Sequence, residues 1–304
     1  MSVPILTSTV PSLLELGHLR VISDSYNMLA PEYPKLFYVG QAQTWVEDIP
    51  HMGAFGLWDE QESEGAPFNM DSMAEGDTAT FTLHAYNKAY SITYESQRWD
   101  KYGQIGPKPE AMARGLRSTE ETAAAAVINN GFAVTAGYDG AYLFSNTHPL
   151  KPDGADSGED GDNLFTGALS YAKVQEAEQL MKATPNEADI IIGLRPTVLW
   201  CSTDQERAAK EILSSTNIAG ELSNTRASLP PLEVLPLTYV TSPYWGLKCN
   251  DALIMKNNLI FNWGDRPIFG VKEDPNSLNR KIYGYASWTC GYADWRGIVG
   301  SLGT

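Results

Sequence analysis

Cysteine, histidine and long apolar runs are scarce in this sequence. Its 304 residues include three widely separated cysteines and four histidines, and no C-x-x-C pair occurs. An odd cysteine count without such a pair indicates neither a disulfide framework nor a zinc knuckle, and it predicts a reducing compartment. No apolar stretch is long enough to cross a bilayer, and the N-terminus lacks the basic and apolar segments of a secretory signal. We therefore expect a soluble protein that is made in a cytoplasm and has no membrane partner.

Residue spacings typical of catalytic and cofactor sites are also absent. The sequence has no phosphate loop, dinucleotide fingerprint, kinase signature or histidine pair at zinc-ligand spacing. Ser145, His148 and Asp139 are the residue types of a catalytic triad, but they lie within ten residues and no G-x-S-x-G elbow is present. A turn at Asp139 and a strand end at His148 account for the same residues. We expect no enzyme activity, no catalytic residue and no cofactor.

An acidic, glycine-rich segment over residues 151–163 is similar to a calcium-binding loop in composition only. When the loop is numbered from Asp156, position three is Gly158 and position twelve is Gly167. A calcium loop requires an oxygen ligand at position three and a bidentate glutamate at position twelve. The pattern therefore predicts no metal site. A metal-dependent hydrolase that uses His148 and this loop remains an alternative of a different class.

The size and charge of the chain narrow its class. A chain of 304 residues exceeds the size at which a single core stops growing, which predicts two domains. An apolar fraction of 43% and eight tryptophans exclude wholesale disorder. The net charge of -15 argues against a surface that grips nucleic acid phosphates, but it is compatible with a wall beside packed DNA.

Lysine and arginine are missing from residues 36–87. The same residues hold nine acids, which are Glu47, Asp48, Asp59, Glu60, Glu62, Glu64, Asp71, Glu75 and Asp77. Towards the end of this segment, Ala79, Phe81 and Leu83 alternate with threonines, and Ala89–Glu95 alternates in the same way; both patterns predict strands. An acidic tip carried by strands indicates a long projecting hairpin, with a solvated surface loop as the alternative.

The charge changes sign in the next segment, where a long helix is predicted. Residues 88–117 carry six bases and three acids. From Pro109 onward, a stripe with helical spacing comprises Met112, Leu116, Ala123 and Val127. Asn129-Asn130-Gly131 predicts the end of the helix, and a capping box at Ser118 and Glu121 predicts a break near Gly115.

The remaining segments mix helices and strands, which favours an α+β fold. Residues 1–45 are too few for a core and predict an arm with one amphipathic helix, packed on its own subunit or crossing to a neighbour. Further helices are predicted after Ser170 and Thr203. Strands are predicted between the Asp139-Gly140 turn and the His148-Pro149 break, and at 190–192, 197–200, 232–239, 253–255, 259–263, 268–271, 282–288 and 298–299.

Three segments carry a family resemblance because they occur in a characteristic order. The first is Ala89–Glu95, which is followed by Trp99-Asp100. The second is Tyr138–Leu150, which contains Asp139-Gly140, Leu143-Phe144-Ser145 and His148-Pro149. The third is Gly193–Trp200, which is followed by a helix. This order resembles the major capsid proteins of tailed phages, in particular the Mu-like major head subunits. The likeness extends over roughly residues 80–215 of the sequence.

The resemblance implies an α+β fold of the Hong Kong 97-like type. Residues 1–45 would form the N-terminal arm and residues 46–95 an extended β-hairpin loop. Residues 96–164 would form a peripheral domain with a long spine helix, and residues 165–249 an axial domain. Residues 250–304 would return strands to the peripheral domain.

The resemblance also implies partners. Family members form homo-oligomers, as hexamers and pentamers of a closed icosahedral shell that encloses DNA in the virion without sequence-specific binding. A scaffold, a protease, a portal and decoration proteins are further partners of such shells. An encapsulin-like nanocompartment shell, which encloses cargo enzymes, is the alternative with the same fold.

The extended loop of relatives lies across the next subunit, and the charge reversal then predicts its contacts. The acids would be Asp59, Glu60, Glu62 and Glu64, and the bases of the neighbour would be Arg98, Lys101, Arg114 and Arg117. Some relatives also join a lysine of this loop to an asparagine of a neighbour. Because no lysine lies between Lys35 and Lys88, we expect no covalent link of this kind.

Overall fold

The structure is a computed structural model that describes residues 11–60, 65, 68, 70, 75–99, 107–134, 137–150, 160–214, 229–251, 256–277 and 279–303. Its α-helices within these residues are α1 (Pro11–Met28), α2 (Tyr94–Arg98), α3 (Pro107–Asn130), α4 (Tyr171–Ala183) and α5 (Glu206–Ser214). Its strands are β1 (Tyr38–Gln41), β2 (Val46–Met52), β3 (Glu75–Thr82), β4 (His84–Ile92), β5 (His148–Pro149), β6 (Asp160–Gly161), β7 (Leu164–Phe165), β8 (Val198–Ser202), β9 (Glu233–Leu237), β10 (Trp245–Lys248), β11 (Leu259–Trp263), β12 (Ile268–Glu273), β13 (Arg280–Tyr292) and β14 (Ile298–Ser301).

Helix α3 is continuous, and the predicted break near Gly115 is wrong. The carboxylate of Glu121 does not close a capping box with Ser118, because it accepts the backbone N–H of Glu32 at 2.7 Å. The helix ends at Asn130, as the sequence predicts, and Gly131 follows. Its buried side chains include Met112 and Ile128, which face the first sheet and its neighbours.

The C-terminal half of α1 packs on its own subunit. Ile22 is completely buried against Met112 and Ala113 of α3 and Ile282 of β13. The segment after α1 then contributes β1, which pairs in parallel with β11. Residues predicted as an arm therefore complete both the helical layer and one edge of the first sheet.

The first sheet has β13 at its centre. This thirteen-residue strand pairs antiparallel with β11, β12 and β4, and β1 extends the sheet beyond β11. The side chain of Trp288 on β13 is completely buried and stacks on Tyr86 of β4, with ring centroids 3.8 Å apart. Trp263 of β11 packs edge-on against Trp288. This aromatic layer and α3 form the larger core.

The second sheet has the order β7-β14-β10-β8-β9. Helix α4 begins after the N-cap Ser170, as predicted, and its buried side chains Val174, Ala177 and Met181 pack on this sheet. Strand β10 was not predicted from the sequence. Strand β14 belongs to this second sheet, so the last strand does not return to the first one.

Two predicted strands are wrong because asparagine side chains satisfy their backbone groups. The predicted turn at Asp139-Gly140 is confirmed, because Asp139 accepts the N–H of Ala141 at 3.1 Å and Gly140 has a φ of 77°. The strand predicted between this turn and His148 does not form, because the Asn163 side chain accepts the N–H of Ser145 and donates to the carbonyl of Leu143. In the segment 190–192, the Asn186 side chain accepts the N–H of Ile190 at 2.9 Å. The strand predicted at 253–255 lies outside the described residues.

Candidate functional site

A hairpin of β2 and β3 packs against the first sheet. Its paired part, which we call the root, runs from Val46 opposite Thr82 to Met52 opposite Glu75, with a register shift between Pro50 and Met52. Side chains of β2 alternate between exposed and half-buried, as expected for a strand with one face on the protein. The body therefore supports the root of this hairpin.

The far end of the hairpin exposes large apolar side chains. Trp58 is 98% exposed, Phe68 92% and Met70 96%. The acids Asp59 and Glu60 follow Trp58 directly and are also exposed. The predicted contact residues Glu62 and Glu64 lie outside the described residues. The end of the hairpin is thus both apolar and acidic, whereas the sequence had indicated only its charge.

The predicted basic residues occupy different environments. Arg98 is exposed on α2, where it donates to the hydroxyl of Tyr94 at 3.0 Å and lies 5.9 Å from the Trp99 ring. Arg114 is exposed on α3, and Lys101 lies outside the described residues. Among the described residues, Arg98 and Arg114 are therefore the two predicted bases that are exposed and can meet an acidic partner.

Arg117 faces inward and already has an acidic partner in its own chain. Its guanidinium lies 2.5 Å from Glu120 and 4.1 Å from the ring of Tyr26 on α1. The Tyr26 hydroxyl donates to Glu120 at 2.7 Å. Burial raises the pKa of the Glu120 carboxyl to about 7, although its bonds to Tyr26 and Arg117 oppose this. These residues join the N-terminal helix to α3.

A second polar cluster lies at the root of the hairpin. We define the hairpin-root cluster as His51, Glu187, Asp294 and Arg296. His51 Nε2 is 2.8 Å from Glu187 Oε1, and Arg296 Nη1 is 2.9 Å from the same oxygen. Arg296 also lies 3.4 Å from Asp294 and donates from Nε to the carbonyl of Pro185 at 3.0 Å. The cluster joins β2, the loop after α4 and the link between β13 and β14.

The link between β13 and β14 is also held by a buried side-chain amide. The side chain of Asn258 donates to the carbonyls of Asp294 and Arg296 at 2.8 and 2.7 Å. Its oxygen accepts from Lys248 Nζ at 2.5 Å. Burial lowers the pKa of Lys248 to about 7. The position of Arg296 is therefore set by both sheets.

The triad residues considered from the sequence do not form a triad. His148 Nδ1 is 2.7 Å from Asp139, and its ring stacks on Trp295 at 4.5 Å. The hydroxyl of Ser145 contacts Thr147 instead, at 3.0 Å. The His148–Asp139 pair is buried. It connects the turn at Asp139 to the β13–β14 link, because the His148 ring stacks on Trp295 of that link.

The residues that the structure describes contain neither a membrane-spanning helix nor a group of metal ligands. No helix there is long and apolar enough to span a bilayer. No set of three histidine, cysteine or carboxylate side chains there is placed to hold a metal ion. Most of the glycine-rich loop, residues 151–159, lies outside the described residues.

Sequence reasoning missed the hairpin-root cluster. Its contact between His51 and Glu187 joins residues 136 positions apart. The available signal was the alternation of Glu47, Ile49 and His51 along β2, whose other face carries Val46 and Met52. That signal does not identify the partner.

Comparison with known proteins gives the family. The model of the phage capsid protein family matches residues 76–301, which is most of the chain. The chain therefore belongs to the phage capsid protein family, and it is a structural component of a phage virion. The comparison with curated protein sequences finds no match.

Solved capsid structures share the fold at low sequence identity. The procapsid protein of bacteriophage JBD30 is 14% identical, with a TM-score of 0.54 over 98% of this chain and 76% of that chain. The capsid protein of cyanophage P-SCSP1u is 8% identical, with a TM-score of 0.61 over 90% of this chain and 88% of that chain. The mature capsid protein of bacteriophage PhiM1 is 12% identical, with a TM-score of 0.54 over 87% and 84%. The fold is the Hong Kong 97-like capsid fold.

Proposed function

We propose that this chain is the major subunit of a phage head and that its copies assemble as hexamers and pentamers into a closed icosahedral shell around the genome. The family and the fold support this proposal. The observation that carries it is the far end of the hairpin, where Trp58, Phe68 and Met70 are almost fully exposed. Three large apolar side chains exposed to this degree on one loop indicate a surface for another chain.

Assembly of the purified full-length chain tests the proposal. Light scattering and negative-stain microscopy should show closed particles of uniform size. A chain that stays monomeric at high concentration across a range of salt and pH contradicts the proposal. Particles that contain nucleic acid after expression in a phage-infected host would also separate a phage head from an encapsulin-like shell.

We further propose that the hairpin end docks on a neighbouring copy beside exposed bases. The supporting observation is chemical complementarity. The hairpin end combines Trp58 with Asp59 and Glu60, and the α2 region combines Trp99 with Arg98. Arg114 offers a second exposed base. Because Arg117 is paired with Glu120, we exclude it from this docking surface.

We also propose that mature shells of this protein contain no lysine–asparagine link through the hairpin. The sequence places no lysine between Lys35 and Lys88, so the hairpin has no amine to offer. Denaturing, reducing gels of mature particles should therefore show the single-chain band alone. A ladder of covalent oligomers contradicts this proposal.

A further inference from the structure

The hairpin root is held on the subunit by one face of β2. Three alternating side chains of that face are half-buried, namely Glu47, Ile49 and His51. Glu47 accepts from Asn262 of β11 at 3.0 Å, and Ile49 packs against the small cluster around Ile260. His51 is the outermost of the three and the one that can change charge near neutral pH.

The local backbone directs His51 towards the body. The register of β2 and β3 shifts between Pro50 and Met52, at the position of His51. Such irregularities re-aim a side chain and end regular pairing. The His51 ring lies 5.5 Å from that of Tyr138, and its side chain is 18% exposed, while that of Glu187 is 12% exposed.

The charges around His51 are mostly negative. The hydrogen-bond partner Glu187 comes from the loop after α4, and Asp294 and Arg296 come from the β13–β14 link. Among the described residues, Asp77 of β3 and Tyr138 and Asp139 of the turn after α3 are further titratable groups beside the histidine. When His51 is neutral, Arg296 is the one cation among these groups.

We propose that His51 is a proton-controlled latch, which holds the root of the hairpin on its own subunit when charged and loosens that contact when neutral. The latch gives the subunit two hairpin states. Since the hairpin end is the surface proposed to meet a neighbour, the latch would set how freely that end moves during assembly. The latch itself lies within one chain and does not depend on the shell.

The direction of the pH dependence follows from linkage. The hydrogen bond to Glu187 raises the pKa of His51 above its ordinary value of 6.5, and burial opposes this effect. A raised pKa in the folded state means that the stabilisation is fully present below the unfolded value. It is then lost as the pH rises through the folded value. The hairpin root is therefore held in mild acid and loosened in mild alkali.

Hydrogen exchange of the purified full-length chain tests the latch, with light scattering used to confirm the same assembly state at each pH. After correction for the intrinsic rate, the segments 46–52 and 75–82 should exchange about threefold to tenfold faster near pH 9 than near pH 6. His51→Gln should exchange fast at both pH values, and His51→Arg slowly at both. His84→Gln, which removes an exposed histidine of β4, should behave as the wild type.

Two outcomes overturn the latch. One is an identical pH dependence in the wild type and in His51→Gln. The other is a His51→Arg variant that loosens in alkali as the wild type does. If His51→Arg does not fold, Glu187→Gln replaces it, because loss of the carboxylate should also abolish the pH dependence. A failure of shell assembly leaves all these readouts unchanged, so the two proposals fail separately.

Discussion

The hairpin and the first sheet use the same residue types in opposite ways. In the sheet, Trp263 and Trp288 are completely buried, and Trp288 stacks on Tyr86. In the hairpin, Trp58 is 98% exposed, and Phe68 is nearly as exposed. The sheet therefore buries these rings within one chain, whereas we propose that the hairpin buries its own against a second copy. Residue composition alone does not distinguish the two uses.

The contrast separates folding from assembly. Burial of a large apolar side chain contributes about 1.5–3 kcal/mol wherever it takes place. For Trp288 that free energy stabilises the subunit, and for Trp58 it becomes available only at a contact between subunits. Substitutions in the two regions should therefore affect different measurements.

The largest effect is expected at the centre of the first sheet. Trp288→Ala removes a buried ring and leaves a cavity, so the free energy of unfolding should fall by about 3–5 kcal/mol. Denaturant unfolding of the dissociated subunit measures this loss. Trp99→Ala, which removes a largely exposed ring, should stay within about 0.5 kcal/mol of the wild type. Equal losses in the two variants would show that the buried aromatic layer is not the main stabilising element.

Trp58→Ala should show the reverse pattern. The subunit should unfold within about 0.5 kcal/mol of the wild type because the removed ring is in water. Particle formation should weaken by about 1–3 kcal/mol for each contact, which raises the critical concentration for assembly by tenfold or more. Met28→Ala, an exposed apolar control outside the hairpin, should assemble normally. Normal assembly of Trp58→Ala would remove this residue from the subunit contact.

Local patterns in the sequence predicted the structural features that depend on neighbouring residues alone. The alternation of Ala79, Phe81 and Leu83 identified the buried face of β3, and all three side chains are buried. The asparagine–glycine stop located the end of α3. These signals depend on side-chain period and turn chemistry, which neighbouring residues carry.

Tertiary contacts decide the parts that the sequence did not predict. Leu143 and Phe144 are buried in a turn rather than a strand, because Asn163 accepts the N–H of Ser145 at 2.9 Å and donates to the carbonyl of Leu143 at 2.7 Å. The burial of the Arg117–Glu120 pair likewise depends on Tyr26, which lies far away in the sequence. A count of charges along the chain treats Arg117 as a free base, whereas packing places it inside the subunit.

The contact between α1 and α3 provides a pH-dependent comparison with the hairpin root. Burial raises the pKa of Glu120 to about 7, so its protonated form is favoured in the folded state. The unfolded state releases this proton at lower pH, and stability should therefore fall as the pH rises from about 4.5 to 7. Glu120→Gln should flatten this part of the pH profile of unfolding. An unchanged slope would mean that Arg117 keeps Glu120 ionised throughout.

The smallest effects are expected from the exposed charges of the hairpin end. Each pair between an acid such as Asp59 or Glu60 and an exposed base should contribute about 0–1 kcal/mol, because water and salt screen it. Repetition at every subunit contact can still control the register and the salt dependence of assembly. Reversal of Asp59, Glu60, Glu62 and Glu64 to lysine should therefore raise the critical concentration more at low salt than at high salt.

The compensating reversal distinguishes a specific contact from a general charge effect. Arg98→Glu and Arg114→Glu together should partly restore assembly of the lysine variant at low salt, because opposite charges then face each other again. The same number of reversals at Arg207 and Lys210 of α5, whose side chains pair with Glu211 and Glu206 of their own helix, should give no rescue. Rescue by both pairs would indicate only that total charge matters. Rescue by neither pair would leave the apolar side chains of the hairpin end, such as Trp58, as the whole of the contact.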